Sequence, residues 1–165
     1  MGIRAPGRTR RKKKRSSRVI TDELPILIDT REQLPYEFPG AVRATLKTGD
    51  YSVAGFEDRV AVERKSFDDL FNTLRTVKSR QRFRRECERL AEFDYSAIVI
   101  ESDVETIKAG HPISALEPAA VLNTLFSWSI RFDLNVWFSG NRENAEATTY
   151  RLLWHFVKIA REVLE

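Results

Sequence analysis

The segment Arg59-Val60-Ala61-Val62-Glu63-Arg64-Lys65 is an apolar, β-prone run that ends abruptly in three charges. Strand side chains alternate between two faces, so Glu63 and Lys65 share one face and Arg64 takes the other. Twelve residues separate Gly49-Asp50 from Glu63, and three separate Lys65 from Asp69. Two carboxylates that converge can hold a divalent cation through hard oxygen ligands. An ammonium beside them would steady the extra negative charge of a phosphodiester under attack by an activated water. That combination points to a nuclease. A lone Glu-x-Lys also occurs by chance on the solvated faces of charged proteins, and the spacing by itself leaves both readings open.

The rest of the chain supplies a framework for that strand. Leu24 to Asp29 and Val42 to Lys47 read as strands, with the Pro35 and Pro39-Gly40 stretch a loop between them. Thr48-Gly49-Asp50 is a turn into Tyr51-Ser52-Val53, and Gly55 to Asp58 is a hairpin connection into the strand Arg59 to Glu63. Ser66 and Asp69 resemble a capping box, opening a helix that runs through Leu70, Phe71, Leu74 and Val77. Arg80 to Phe93 forms a second helix, with Phe83, Cys87, Leu90 and Ala91 inward. Ala97 to Ile100 is an apolar strand ending in Glu101. A loop or short helix covers Ile107 to Pro118, where His111 reads as an exposed loop residue without a role. Ala119 to Phe132 is an amphipathic helix with Leu122, Leu125, Phe126 and Ile130 on its apolar side. Asn135 to Phe138 is a short strand, and Asn141 to Leu164 a long closing helix. Strands alternate with helices only in the second half, a mix that predicts an α/β chain with a central mixed sheet flanked by helices.

Charge is unevenly placed. Residues 1–18 hold nine of the 28 lysines and arginines and no acid, leaving 19 bases against 24 acids, a net −5, for the remainder. Residues 1–20 therefore read as a basic, disordered tail and residues 21–165 as the folded domain. Arg10, Arg11, Lys12, Lys13, Lys14 and Arg15 form either a phosphate-binding arm or a nuclear localisation signal. A second basic cluster, Lys78, Arg80 and Arg82, stands at the start of the second helix without nearby acids and is either a DNA-phosphate contact or a solvated face. The single cysteine, Cys87, excludes an internal disulfide, and two histidines with one cysteine cannot build an ordinary zinc site. Any metal is expected on carboxylates. No apolar run reaches membrane-spanning length and the N-terminus is polar, so neither a membrane partner nor a signal peptide is expected.

The pattern G-D-x(n)-E-R-K-x(3)-D, carried by Gly49-Asp50, Glu63-Arg64-Lys65 and Asp69, resembles the signature of the XPF-type structure-specific endonucleases, which include the Mus-type and archaeal Hef nucleases. Ile28-Asp29-Thr30-Arg31-Glu32 resembles that family's opening hydrophobic-D-x-R-E strand. Ser79 to Phe83, through Glu88-Arg89-Leu90, resembles the loop and helix that end in Arg-Leu. Residues 119–131, 135–138 and 141–153 resemble its closing helix, strand and helix. The likeness spans about residues 24–163 and implies that 21–165 is an XPF-type nuclease domain with a restriction-endonuclease-like (PD-(D/E)XK) fold.

The resemblance implies a metal-dependent DNA endonuclease acting at branched, flap or fork DNA in repair or recombination, inside the cell and associated with DNA. Asp50 and Glu63 are the implied Mg2+ or Mn2+ ligands, with the Val62 carbonyl and waters, and Asp29 is an additional carboxylate. Lys65 would orient or help deprotonate the attacking water, or stabilise the phosphorane. Arg31 and Arg64 are implied phosphate clamps or partners of Glu32 and Asp69, which support the site. Many members add a tandem helix-hairpin-helix domain or a helicase domain, and neither is expected here. Family members pair through the C-terminal region, and a homodimer is expected. Phe126, Trp128, Phe132, Trp137, Leu152, Leu153, Trp154, Phe156 and Val157 exceed what one face can bury, unless they form a large aromatic core. The alternative function is a non-catalytic DNA-binding or scaffolding partner of another nuclease.

Overall fold

The computed structural model describes residues 24–164, so the basic tail and its residues Arg10 to Arg15 lie outside the described region. The elements follow in the order β1 (Ile26–Asp29), β2 (Val42–Ala44), β3 (Tyr51–Val53), β4 (Val60–Lys65), α1 (Phe67–Arg75), α2 (Val77–Leu90), β5 (Tyr95–Ile100), α3 (Val104–Ala109), α4 (Pro118–Arg131), β6 (Asn135–Phe138) and α5 (Arg142–Leu164). The strands form one mixed sheet in the order β2-β1-β3-β4-β5-β6. A short hairpin makes β3 antiparallel to β4. β4, β5 and β6 run parallel, which requires the helical crossovers between them. β1 and β2 are also parallel, but their crossover is the loop of residues 30–41 alone.

Alternation along the central strands builds two apolar cores. Ala61, Ile98 and Ile100 face one side, where they pack with Leu70, Phe71, Leu74, Phe83, Cys87, Leu125 and Trp128 of α1, α2 and α4. Val60, Val62, Ala97 and Val99 face the other, beneath Ala145, Leu153 and Val157 of α5 and beside Tyr36 and Tyr51. The same alternation carries Glu63 and Lys65 to the α2 side and Arg64 to the α5 side.

Several boundaries differ from the sequence expectation for local reasons. β2 stops at Ala44, because the following residues turn to bring the Leu46 amide onto Asp29. α2 starts at Val77 because the reciprocal capping box is made by Thr76 and Ser79. At the start of α1, Ser66 caps by accepting from the Asp69 amide at 3.1 Å. Ala91 is exposed. On α4 the buried stripe is Val121, Leu122, Leu125 and Trp128, while Phe126 and Ile130 are 51% and 84% exposed. His111 is not an exposed loop residue. Its ring stacks on Phe67, its Nε2 lies 2.9 Å from Asp68, and its Nδ1 accepts from the Ile113 and Ser114 amides.

Candidate active site

The turn into β3 explains why glycine precedes Asp50. Gly49 has φ +82°, and a Cβ there would stand 3.2 Å from Ala61 Cβ and 3.3 Å from the Val62 carbonyl. Only glycine accepts both the left-handed backbone and the close approach to β4. The turn is then tied down by the Asp50 amide, which donates to the Val62 carbonyl at 2.9 Å. Asp50 Oδ2 accepts the Arg64 amide at 2.8 Å. These two bonds set the Asp50 carboxyl against the charged end of β4. Lys65 Nζ donates to Glu63 Oε1 at 2.9 Å and sits 4.6 Å from the centre of the Phe83 ring. Asp50, Glu63, Lys65 and Asp69 line an open cleft of about 280 Å3 whose rim is Arg31 to Leu34.

The electrostatics are those of too many carboxyls for one ammonium. Burial, reinforced by the Glu63 charge, pushes the Asp50 carboxyl up to about 9. Glu86, reaching over from α2 to within hydrogen-bond range of Glu63, is pushed up to about 7 by burial and by the Glu63 charge. Burial works against the charge on Lys65, but the Glu63 and Glu86 carboxyls outweigh it and hold the lysine above its ordinary pKa. The buried Cys87 thiol is pushed up to about 12 by burial and then by Glu86, leaving it inert.

Asp29 lines an adjoining cavity with Asp50 and Glu86, and protein donors occupy both of its carboxylate oxygens. Its Oδ1 takes the Arg31 amide and Nε at 2.9 and 2.7 Å, and its Oδ2 takes Arg31 Nη2 and the Leu46 amide at 3.0 and 2.8 Å. These donors outweigh the effect of burial and keep its pKa below the usual carboxylate range. The expected Val62 carbonyl ligand already accepts the Asp50 amide. Arg31 therefore pairs with Asp29, not with Glu32 or Asp69, yet its side chain remains 67% exposed. Arg64 is 7% exposed and is held by Glu101 at 2.6 Å and Glu32 at 3.4 Å, which makes it a brace and not an open phosphate clamp. Asp69 lines the cleft at the first turn of α1 and makes no ion pair among the described residues.

Four residues escaped sequence reasoning. Glu86 reads in the sequence as a partner for neighbouring helix arginines; the helical spacing from Phe83 and Leu90 could have placed it on the inward edge of α2. Glu101 binds the Tyr36 hydroxyl at 2.9 Å, Arg64, and Arg142 at 3.4 Å. Tyr36 and Arg142 complete that network from the loop and from α5, and no local pattern announces it. In the expected DNA-binding cluster, Lys78 and Arg82 are exposed, whereas Arg80 packs over Trp128 at 5.5 Å.

Among the described residues, no group of three or more His, Cys, Asp or Glu side chains is arranged to hold a metal ion. The donor set of Asp50 and Glu63 nevertheless fits a cation of the magnesium class, which uses one or two carboxylates and fills its remaining positions with water and substrate phosphate. A roomier cavity of about 380 Å3 lies against α5, lined by Tyr95, Leu152, Phe156 and Ile159. It is mainly apolar and lacks such a carboxylate pair.

The ERCC4 domain family model matches residues 28–152. Among solved structures, the chain is similar to XPF from Aeropyrum pernix, with TM-score 0.61 and 16% identity over 78% of this chain and 59% of that one. It is equally similar to XPF from Aeropyrum pernix in complex with DNA, with TM-score 0.61 and 17% identity over 82% of this chain and 66% of that one. The chain thus spans about three fifths of the length of the first of these. No curated protein sequence matches significantly. The mixed sheet with helices on both faces is the restriction-endonuclease-like fold of the XPF nuclease domain. The chain belongs to the ERCC4-domain family and shares its fold with XPF from Aeropyrum pernix.

Proposed function

We propose that this chain is a divalent-metal-dependent endonuclease that hydrolyses DNA phosphodiester bonds at branched, flap or fork structures. The observation that carries the reading is the meeting of Asp50, Glu63 and Lys65 in one open cleft at the adjoining ends of β3 and β4. Asp50 and Glu63 would hold Mg2+ or Mn2+. When bound, such an ion lowers the pKa of a coordinated water and neutralises phosphate charge. Lys65 has three protons to offer and spends one on Glu63. The others are available to orient the attacking water or to stabilise the phosphorane oxygens. Acting as a base would first require Lys65 to give up the charge that Glu63 holds in place, so the orienting and stabilising role is favoured.

DNA would approach along the exposed cations. Arg31 at the rim offers its outer guanidinium edge, and Lys78 and Arg82 are exposed without an ion-pair partner among the described residues. Likeness to an XPF in complex with DNA supports DNA as the partner, and such a partner implies a DNA-associated location. A non-catalytic relative would have no use for the acids and the lysine, and all of them are present. The test is a panel of end-labelled flap, fork, nicked and four-way substrates with Mg2+ or Mn2+. Cleavage beside the branch, abolished by chelation, is the expected result. Tight binding without cleavage of any substrate would make the chain a scaffold.

A further inference from the structure

We propose that Leu34 is the residue through which the site tells an unpaired or junction nucleotide from continuous duplex, by packing against the face of its base. The inference deepens the reading of the cleft as a DNA-cleaving site and rests on it. Leu34 is 66% exposed and stands on the rim of the cleft that Asp50, Glu63 and Lys65 line. Single exposed leucines are ordinary on protein surfaces, but the backbone around this one has been fixed with unusual thoroughness. Its amide donates to Glu32 Oε1 at 2.8 Å, and its carbonyl accepts Arg142 Nη2 at 2.9 Å. The same guanidinium nitrogen holds the Pro35 carbonyl at 2.9 Å. Just beyond it in sequence, Tyr36 is buried, stacks on Tyr51 at 5.2 Å and donates its amide to the Tyr51 hydroxyl at 2.8 Å.

With both backbone polar groups committed and Tyr36 locked, the Leu34 side chain stays outside although the core lies next to it. It is an apolar group at the lip of a cleft otherwise lined largely by charges, where it can serve neither metal nor phosphate. What it can offer a nucleic acid is an apolar surface. In continuous duplex both faces of each base are covered by stacking. A base at a branch or in a single strand has an uncovered face, and apolar side chains at DNA-binding surfaces pack on such faces or enter the step beside them. A strand lying with its phosphate at the Asp50–Glu63 end of the cleft would bring a neighbouring base to the rim.

The experiment compares the full chain with Leu34→Ala and Leu34→Gln, on forks carrying 2-aminopurine at each of three nucleotides flanking the branch. The probe brightens when its base leaves the stack, and binding is read in Ca2+ so that the readout does not depend on cleavage. The wild-type chain should brighten the probe at one of these positions, and both variants should lose most of that signal. In Mg2+ or Mn2+, kcat/KM on the fork should fall about tenfold, as expected when a leucine side chain no longer covers a base. Affinity for continuous duplex, read in Ca2+, should fall less than affinity for the fork. Equal brightening in wild type and variants, or no brightening at any position, would overturn the proposal. So would equal losses on forked and continuous DNA. Absence of metal-dependent cleavage by the wild-type chain, with the brightening and its loss still observed, would instead count against the nuclease reading alone.

Discussion

An aspartate in water ionises near 3.8, whereas Asp50, buried beside Glu63, is pushed up to about 9. Between those values the folded chain keeps a proton that the unfolded chain has released. Stability of the metal-free protein should therefore fall as pH rises through that window. Glu86, pushed from 4.5 up to about 7, acts in the same direction. Thermal melts in chelator between pH ~5 and ~8 should show the midpoint falling with pH, a slope that Asp50→Asn flattens. Mg2+ or Mn2+ should raise the wild-type midpoint more at the alkaline end, since the ion takes the place of the proton. A metal-free midpoint that climbs over this range would contradict the assignment. At this scale the sequence was legible where chemistry is local. Strand alternation puts Glu63 and Lys65 on one face and Gly49 marks the turn before Asp50, while the ligand roles of Asp50 and Glu63 are what the family resemblance implies. Glu101 could not be read that way, because its partners Arg64, Arg142 and Tyr36 lie 37, 41 and 65 positions away along the chain.

Elements position these groups, and the hairpin from Gly49 to Lys65 does so most directly. Gly49→Ala would put a Cβ 3.2 Å from Ala61 and force a left-handed backbone on an L side chain. Chemical denaturation should register a loss of about 1–3 kcal/mol. Cleavage should suffer as well, because the shifted turn carries Asp50 with it. Wild-type stability in this variant would show that the turn is looser than its geometry implies. The helices and the later strands were readable from periodicity, most of them to within a few residues. The faces of α4 were not. Phe126 and Ile130 fit a helical apolar stripe as well as Val121 and Trp128 do, and only packing against α3, α1 and β6 decides between them. Strand β2 was overextended for a similar reason: β-prone composition at residues 45–47 yields to the bond between the Leu46 amide and Asp29.

At the scale of the whole molecule, the expected aromatic surplus divides. Trp128, Leu153 and Val157 are core, while Phe126 and Trp137 are exposed. Exposed residues of this size support pairing through the C-terminal region, and light scattering should return twice the 19.1 kDa chain mass. A monomer at working concentrations would place these residues in some other role. The basic tail follows from charge alone. Deleting residues 2–18 should weaken DNA binding and flatten the slope of log affinity against log salt by roughly 0.7 to 0.9 for each phosphate that the tail had neutralised. Catalysis at saturating substrate should survive, because the cleft belongs wholly to residues 24–164. An unchanged slope would assign the tail to localisation. The central claim is tested most directly by single-turnover cleavage of a labelled fork across a Mg2+ and Mn2+ titration, comparing wild type with Asp50→Ala and Lys65→Ala, each checked for an unaltered circular dichroism spectrum. Metal-dependent cleavage by the wild type, lowered by orders of magnitude in both variants, is the predicted result; a folded Asp50→Ala or Lys65→Ala protein that cuts at the wild-type rate would contradict the account.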